Sequence, residues 1–302
     1  RTLSNTGAKK AVAVALNPKT GGVMALVSLP SFDNNAFTQG TDPKILEDFF
    51  SDPAEPLFNR AISGYYPTGS TIKPLIASAA LEEKIISPEK QIYDPGYIEV
   101  PHRYDPNIVY VFHDNAVHGW TDMRKAIAES CNVYFYTVGG GYKDQIGLGP
   151  SRIKKYLNLF GWGEITGIDL PGENPGFIPS PEWKKKKKGE AWLDGDTYNL
   201  SIGQGDILIT PLQVATAFAA VANGGTLYKP KAAKAVILNG EDPQPKVKTI
   251  EPEVLRENFI NPENLKIVRE GMRMAVTGQD SPLASSVILN SLPKVIRKSK
   301  DN

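Results

Sequence analysis

The chain is poor in the residues that most often bind metals or form cross-links. Its 302 residues include one cysteine and three histidines. The single cysteine excludes a disulfide within the chain. No apolar run reaches the roughly 20 residues that a membrane-spanning helix needs. Lysine and arginine (34) balance aspartate and glutamate (33), and the net charge of +1 gives no reason to expect a nucleic acid as partner.

The most informative segment begins at Ser70, which is preceded by a glycine and followed three residues later by Lys73. If Ser70 opens a helix, the two side chains share a face, because positions three apart are neighbours. A serine hydroxyl is a poor nucleophile until a base takes its proton, and an amine can do so when burial lowers its pKa. The pattern predicts a nucleophile, Ser70, with its own base, Lys73. We interpret the other S-x-x-K matches, at Ser87, Ser151 and Ser291, as structural.

A second motif, Ser130-Cys131-Asn132, follows a helical pattern from Thr121 to Glu129. Its hydroxyl could relay a proton between Lys73 and a leaving amine. Its amide offers a donor and an acceptor to a substrate peptide bond. Alone, the triplet could merely cap the next helix. In combination with the first motif, it favours a catalytic site.

The two motifs resemble those of penicillin-binding proteins and serine β-lactamases. The resemblance is closest to the transpeptidase domain of class B penicillin-binding proteins and covers nearly the whole chain. It includes residues 11–30, 59–74 and 167–173, and residues 201–205 with 210–213. The resemblance implies that Ser70 is acylated, that Lys73 is its base, and that Ser130 and Asn132 shuttle protons and hold the donor peptide.

The family's third motif, K-T-G, is spelled by residues 19–21. These residues lie between two segments of alternating polarity, Ala11–Leu16 and Val23–Leu29. Alternation on both sides of a short polar link indicates a β-hairpin. We therefore interpret the K-T-G sequence at 19–21 as a hairpin turn.

The resemblance places the K-T-G strand after a helix at residues 261–277. Lys298 and Ser299 could supply its substrate-binding side chains, although Lys300 occupies the position of the glycine. A long cationic side chain there should obstruct the close approach that glycine permits. Because nothing follows Asn302 in this sequence, we expect the C-terminal strands to be missing, and we leave catalytic competence open.

The predicted fold is α/β (α+β), with an antiparallel sheet flanked by helices and an inserted all-helical lobe. We expect one transpeptidase domain over 1–302, incomplete at its C-terminus. The sheet side is predicted at 11–60 and 226–302, and the helical lobe at 70–221. Stop signals at glycines predict helix ends near 223 and 277.

The resemblance implies partners and a location. It implies peptidoglycan stem peptides as substrates, β-lactam antibiotics as ligands, and a glycosyltransferase as a partner of the full-length protein. It places the domain on the extracytoplasmic face of the bacterial plasma membrane, anchored by an N-terminal segment and a pedestal domain that this chain lacks. We expect no cofactor and no metal.

Two other functions are compatible with the motifs. A serine β-lactamase would need a base to activate water, and the glutamates between 171 and 196 (Glu173, Glu182 and Glu190) lack the class A spacing; an unaided Lys73 could serve, as in class D enzymes. The second is a non-catalytic scaffold with a transpeptidase body. A cysteine-protease role for Cys131 is disfavoured because no histidine is near it in sequence, and we expect the thiol to pack inward.

Two conspicuous groups of residues have simple interpretations. His102, His113 and His118 fall in one polar loop with Asp105 and Asp114, and their spacing matches no zinc signature. Residues 184–188, five consecutive lysines, are typical of a solvated loop. Near a membrane, such a loop could contact anionic lipid or wall polymer.

Overall fold

The computed structural model describes residues 7–38, 42–102, 105, 107–238 and 246–291. The α-helices of these residues are α1 (Pro43–Ser51), α2 (Lys73–Glu82), α3 (Met123–Glu129), α4 (Asn132–Gly140), α5 (Gly149–Leu159), α6 (Pro181–Lys188), α7 (Asp194–Ser201), α8 (Pro211–Asn223) and α9 (Pro262–Thr277). The strands are β1 (Ala11–Leu16), β2 (Val23–Leu29), β3 (Ile92–Asp94), β4 (Tyr97–Pro101), β5 (Val109–His113), β6 (Gly119–Thr121), β7 (Leu227–Tyr228), β8 (Ala235–Leu238), β9 (Lys246–Thr249) and β10 (Val254–Arg256). None of the helices in these ranges is long and apolar enough to cross a membrane.

The ladders of the described residues are antiparallel pairs: β1–β2, β3–β6, β4–β5, β7–β10 and β8–β9. The N-terminal hairpin has the predicted strand bounds. Its turn contains the K-T-G sequence, as predicted, and closes with a hydrogen bond from the Asn17 amide to the Gly22 carbonyl. A Cβ on Gly21 would lie 2.5 Å from the Lys229 carbonyl oxygen, so only glycine fits there.

The chain divides into two compact units. The first unit comprises Arg1–Tyr66, Asn158–Ile178 and Leu208–Glu257, and the second comprises Pro67–Leu157, Pro179–Ile207 and Asn258–Asn302. This grouping differs from the predicted ranges, because α8 groups with the N-terminal hairpin and α9 with the helices around Lys73. Helix α9 packs against α3, where a Cβ on Gly271 would lie only 2.9 Å from the Ile127 side chain. The assignment of the whole chain to one domain stays a prediction.

The first unit has its core between the hairpin and α8. One face of each hairpin strand packs against a buried cluster. The cluster consists of Ala61, Ile62, Ile168 and Leu212. On β1 the side chains that contact the cluster alternate: Val12, Val14 and Leu16. On β2 they are Val23 and Leu26, three positions apart, and the register shift at Leu16 brings both to the same face.

The second unit is built around α2. Every residue of α2 from Lys73 to Leu81 is buried, as expected for a helix that is apolar on nearly all sides. Helix α4, buried from Val133 to Gly139, packs beside it. This pair of helices fixes the relative positions of Lys73 and Asn132.

The helix ends follow local sequence signals, as predicted for α8 and α9. Helix α8 begins with a capping box between Thr210 and Gln213, and it ends at Gly224 in the left-handed conformation. Helix α9 begins after Asn261, whose side chain accepts from the amide of Glu263, and it ends at Gly278.

The prediction of a solvated loop at residues 184–188 is wrong, because these residues end helix α6. The Ser180 side chain caps the helix, Pro181 occupies its first turn, and Gly189 ends it in the left-handed conformation. Lys184 is buried and pairs with Asp196 at 2.7 Å, which ties α6 to α7.

Candidate active site

Ser70 lies in a single 3₁₀ turn, Gly69–Ile72, that precedes α2. The prediction that Ser70 opens the α-helix itself is therefore wrong in detail. The reason is Pro74, which has no amide hydrogen for the Ser70 carbonyl. The amide of Lys73 donates to that carbonyl instead, in the 3₁₀ pattern. The side chain of Ser70 is exposed.

Gly69, the first residue of this turn, holds its N-terminal end in place. Its amide donates to the Gly203 carbonyl at 2.9 Å, and its φ of +53° suits glycine. Gly203 permits this close approach, because a Cβ at that position would lie 2.0 Å from the Gly69 carbonyl oxygen. The serine is thus held on a backbone fixed at both ends.

Lys73 joins the two sequence motifs. Its Nζ donates to the carbonyl oxygen of Ser130, to the Ser130 hydroxyl at 3.0 Å, and to Oδ1 of Asn132 at 2.7 Å. These neutral acceptors match the three hydrogens of an ammonium group. The ring of Phe135 lies 5.6 Å from the same nitrogen. The structure therefore brings Lys73, Ser130 and Asn132 together.

The environment of Lys73 changes its acidity. Burial lowers the pKa of Lys73 from 10.5 to about 8, while the electrostatic interaction with Asp114 acts in the opposite direction. With such a pKa, about one-tenth of the lysine is neutral at pH 7. A neutral amine has a lone pair and can accept a proton. Lys73 is thus a chemically reasonable base near neutral pH.

Ser130 and Asn132 occupy the link between α3 and α4. Ser130 ends α3 in the left-handed conformation, with φ 58° and ψ 39°, and Asn132 is the first residue of α4. A residue other than glycine rarely adopts this conformation, which costs about 1 kcal/mol or more. The turn directs the Ser130 carbonyl and hydroxyl and the Asn132 amide toward one atom, Nζ of Lys73.

Other predicted site residues are not brought into this arrangement. Within the described residues, the Ser70 side chain has no hydrogen-bonding partner. Hydrogen bonds of catalytic groups often form only when substrate binds. The lack of a partner for the Ser70 hydroxyl therefore does not argue against a catalytic role for Ser70. Lys298, Ser299 and Lys300 lie outside the described residues. The catalytic roles of Ser70, Lys73, Ser130 and Asn132 remain predictions.

A buried group of potential metal ligands lies against the Ser130–Asn132 link. It consists of Asp94, Asp114, His118 and Cys131, with one donor atom of each within 4.8 Å of the others. His118 Nδ1 lies 2.6 Å from Asp94 Oδ2, and Cys131 Sγ lies 3.4 Å from Asp114 Oδ2. Asp114 Oδ2 also accepts the amide of Val133 at the start of α4. The group therefore supports the backbone that carries Asn132.

The chemistry of this group fits a zinc ion. An imidazole, a thiolate and two carboxylates are ligands that tetrahedral Zn²⁺ accepts. Burial and the neighbouring carboxylates raise the pKa of the Cys131 thiol, an effect that a bound cation would reverse. His118 Nε2 is buried without a hydrogen-bonding partner in the described part of the chain. Asp94, Asp114, His118 and Cys131 would hold the ion.

The sequence did not predict this group. The sequence predicts His118 in one polar loop with His102 and His113, but His118 is buried, and His113 lies on β5. Asp94 belongs to β3 and is brought beside His118 by the pairing of Asp94 with Gly119. The four-residue spacing of Asp114 and His118 was the one local signal. Cys131 packs inward, as predicted.

Comparison with known proteins identifies the family. The family model described as "Penicillin binding protein transpeptidase domain" matches residues 11–289. The chain belongs to the penicillin-binding protein transpeptidase family. The predicted resemblance and the mixed fold of helices with antiparallel strands are confirmed.

Individual relatives agree with this assignment. The peptidoglycan D,D-transpeptidase MrdA of Haemophilus influenzae is 41% identical over 233 residues, covering 76% of this chain and 34% of the relative. The structure of Pseudomonas aeruginosa PBP2 in complex with WCK 5153 matches with a TM-score of 0.79 and 32% identity, covering 96% of this chain and 62% of that one.

A further structural relative is PBP2 of Helicobacter pylori in complex with MreC. It matches with a TM-score of 0.75 and 29% identity, over 93% of this chain and 48% of that one. The chain spans about a third of the length of the curated relatives that it matches.

Proposed function

We propose that this chain carries the catalytic site of a peptidoglycan D,D-transpeptidase that works through an acyl-enzyme on Ser70. The observation that carries the proposal is the position of Lys73, which starts the helix after Ser70 and holds Ser130 and Asn132 through hydrogen bonds. Its lowered pKa of about 8 suits a base near neutral pH. The name of the H. influenzae relative supports the same activity.

In the proposed acylation, neutral Lys73 takes the proton of the Ser70 hydroxyl while Oγ attacks the peptide carbonyl of a donor stem peptide. The new C–O bond gives a tetrahedral intermediate. When it collapses, the C–N bond breaks, and Ser130 passes a proton from Lys73 to the leaving amine of the terminal D-residue. Asn132 holds the donor peptide with its amide. The amide of Ser70 is one donor for the oxyanion.

The second half of the reaction reverses these roles. The amine of a neighbouring stem peptide attacks the acyl carbon, and its surplus proton returns to Lys73. As the tetrahedral intermediate collapses, the C–O bond to Oγ breaks and Lys73 gives this proton to Oγ. Ser70 leaves as the alcohol, and a cross-linking peptide bond remains. A β-lactam acylates Ser70 in the same way, but its leaving amine stays attached to the acyl group and blocks the second step.

The proposed partners and location follow from this chemistry. Cross-linking of stem peptides takes place outside the cytoplasm, so we place the activity on the extracytoplasmic face of the plasma membrane. The complex of the H. pylori relative with MreC supports the proposal that the whole protein works in an assembly. A glycosyltransferase is the partner that would supply glycan strands for cross-linking.

Of the three glutamates that could serve as the base of a β-lactamase, two have other contacts and one is exposed. Glu173 accepts the amides of Thr166 and Gly167, and Glu190 lies 3.5 Å from Nζ of Lys184. Glu182 lies in the exposed first turn of α6. These contacts favour a transpeptidase, whose acyl-enzyme persists in water, over a hydrolase.

The test is the intact mass of the purified chain during incubation with benzylpenicillin, beside Ser70→Ala. We expect a single stable adduct on the unaltered chain and none on the variant. An adduct that disappears within minutes would indicate a β-lactamase. No adduct at high drug concentration would contradict the proposal and indicate a scaffold.

A further inference from the structure

Glu129, the residue before Ser130, is a buried carboxylate that the proposed reaction does not use. It is 1% exposed and lies in the last turn of α3. A negative charge at the C-terminal end of a helix is unfavourable, and burial adds a desolvation cost. An apolar side chain of similar size would avoid both costs. Its presence therefore calls for a role other than stability.

The contacts of Glu129 connect it to a segment distant in sequence. Its Oε1 accepts the hydroxyl of Ser281 at 3.0 Å and the amide of Leu283 at 3.4 Å. Two residues further on, Ser285 donates its amide and its hydroxyl to the carbonyl of Ala128, at 2.9 and 3.0 Å. The segment 281–285 thus supplies the donors that the last turn of α3 needs.

The other carboxylate oxygen of Glu129 is buried and has no hydrogen-bonding partner among the described residues. Among the residues that the structure describes, the cation paired with this oxygen is Lys125, 3.9 Å away. Lys125 instead donates to the carbonyls of His118 and Trp120, at 2.7 and 3.1 Å. Glu129 is therefore held mainly through one oxygen, by the segment 281–285.

Ser130 takes its left-handed conformation directly after Glu129. That conformation is strained and persists only where the surroundings hold it. Its carbonyl and hydroxyl both bind Nζ of Lys73, so a small rotation at this turn changes both contacts. The anchor at Glu129 fixes the chain immediately before the strained residue.

We propose that Glu129 is a positioning residue, which ties segment 281–285 to the end of α3 and thereby sets the Ser130 hydroxyl against Lys73. The inference rests on the proposed function. It predicts that loss of the anchor slows acylation of Ser70, because proton transfer depends steeply on geometry. Non-covalent binding of the β-lactam should change little.

The experiment measures acylation by benzylpenicillin in the whole chain, separating the first-order acylation constant from the dissociation constant of the preceding complex. Glu129→Leu keeps the volume and removes the acceptor. We expect its acylation constant to fall about tenfold or more, with the dissociation constant within about threefold. Glu129→Gln keeps an oxygen for Ser281, and should recover most of the rate.

Ser281→Ala removes the partner hydroxyl and leaves Glu129 in place, so this variant provides the test if Glu129→Leu does not fold. We expect a smaller loss than in Glu129→Leu, and no further loss when the two changes are combined. Glu82→Leu is the matched control. Glu82 Oε2 likewise accepts two donors from a distant segment, the amide of Asn261 and the side chain of Asn264, but it lies at the far end of α2.

The outcomes separate the two proposals. A purely structural Glu129 would lower the melting temperature of Glu129→Leu, as Glu82→Leu should lower it, and leave the acylation constant of the folded protein unchanged. That result would overturn the inference alone. If the unaltered chain forms no adduct, the proposed function fails and the inference fails with it.

Discussion

Two lysines of the second unit are buried, and the groups that they bind differ in charge. Lys73 donates to the neutral oxygens of Ser130 and Asn132. Lys184 donates to both carboxylate oxygens of Asp196, at 2.7 and 2.9 Å, and lies 3.5 Å from Glu190. Lys73 has no ion pair within the ranges that the structure describes.

The pKa values follow these surroundings. Burial lowers the pKa of Lys73 to about 8. Burial also acts to lower the pKa of Lys184, but the hydrogen bond and charge of Asp196, with those of Glu190, raise it above 10.5 overall. A carboxylate partner keeps a buried lysine charged, as a structural cation. Neutral partners leave it able to lose its proton, as a base must.

The largest expected effect is on the rate of acylation, when Lys73 is replaced by methionine and compared with the same replacement of Lys184. Lys73→Met should slow acylation by benzylpenicillin by about a thousandfold or more, because no other base is hydrogen-bonded in the motif. Lys184→Met is the matched control. It should leave the acylation rate within about twofold and lower the melting temperature by a few degrees. Equal rates in both variants would contradict the comparison.

Stability should depend on pH in opposite directions for the two lysines. The folded pKa of Lys73 lies below its unfolded value of 10.5, so the unfolded state binds more protons between pH 8 and 10.5. The cost of burying the charge is therefore present below pH 8 and is relieved as the pH rises to 10.5. It amounts to at most about 3 kcal/mol. The stability that Lys184 contributes is present below 10.5 and is lost as the pH rises through its folded pKa.

Urea unfolding between pH 7.5 and 11 measures both effects. Relative to the unaltered chain, Lys73→Met should lose the rise in unfolding free energy between pH 8 and 10.5. Lys184→Met should lose the fall above pH 10.5. Parallel curves for all three proteins would contradict the assigned pKa directions.

The carboxylates of Asp94 and Asp114 extend the comparison, since they are buried without a lysine or arginine partner in the described part of the molecule. With His118 and Cys131 they should bind about one Zn²⁺ per chain, measured by atomic emission after dialysis. Cys131→Ser should weaken zinc binding by about a hundredfold, judging from the effects of ligand environment on affinity. His113→Ala is the control, because His113 lies exposed on β5. Metal-free protein after exposure to zinc would contradict this prediction.

The smallest expected effect on the acylation rate comes from a variant that gives Lys73 a carboxylate partner. Asn132→Asp would place a negative charge where Oδ1 now lies, 2.7 Å from Nζ, and so raise the pKa of Lys73. The neutral fraction at pH 7 falls, and acylation there should slow about tenfold. The loss should shrink as the pH is raised toward 10. Asn132→Ala, which lacks the charge, should not recover in this way.

Local structure was predictable where the signal was local. The hairpin strands, the turn at 19–21, and the ends of α8 and α9 followed from alternation, capping residues and glycine. Helix α6 was missed because five lysines suggested a loop. Its stability depends on the cap at Ser180 and on the ion pair of Lys184 with Asp196, a residue on the next helix.

The site was predictable in part. Ser70, Lys73, Ser130 and Asn132 stand out through motif spacing, and the structure brings the last three together. The buried group of potential metal ligands and the contacts of Glu129 with residues 281–285 could not be predicted. Each depends on donors from separate segments, such as β3 and residues 281–285, which meet only in the folded chain.

The sequence by itself determined which residues could react, because a serine and a lysine three positions apart, beside a helix-forming stretch, are a property of the chain. Only the tertiary structure decided which buried lysine can lose its proton near neutral pH. The pKa of an amine depends on solvent and on neighbouring charge, and both are set by distant segments packing around it. Lys73 meets neutral oxygens there, and Lys184 meets carboxylates.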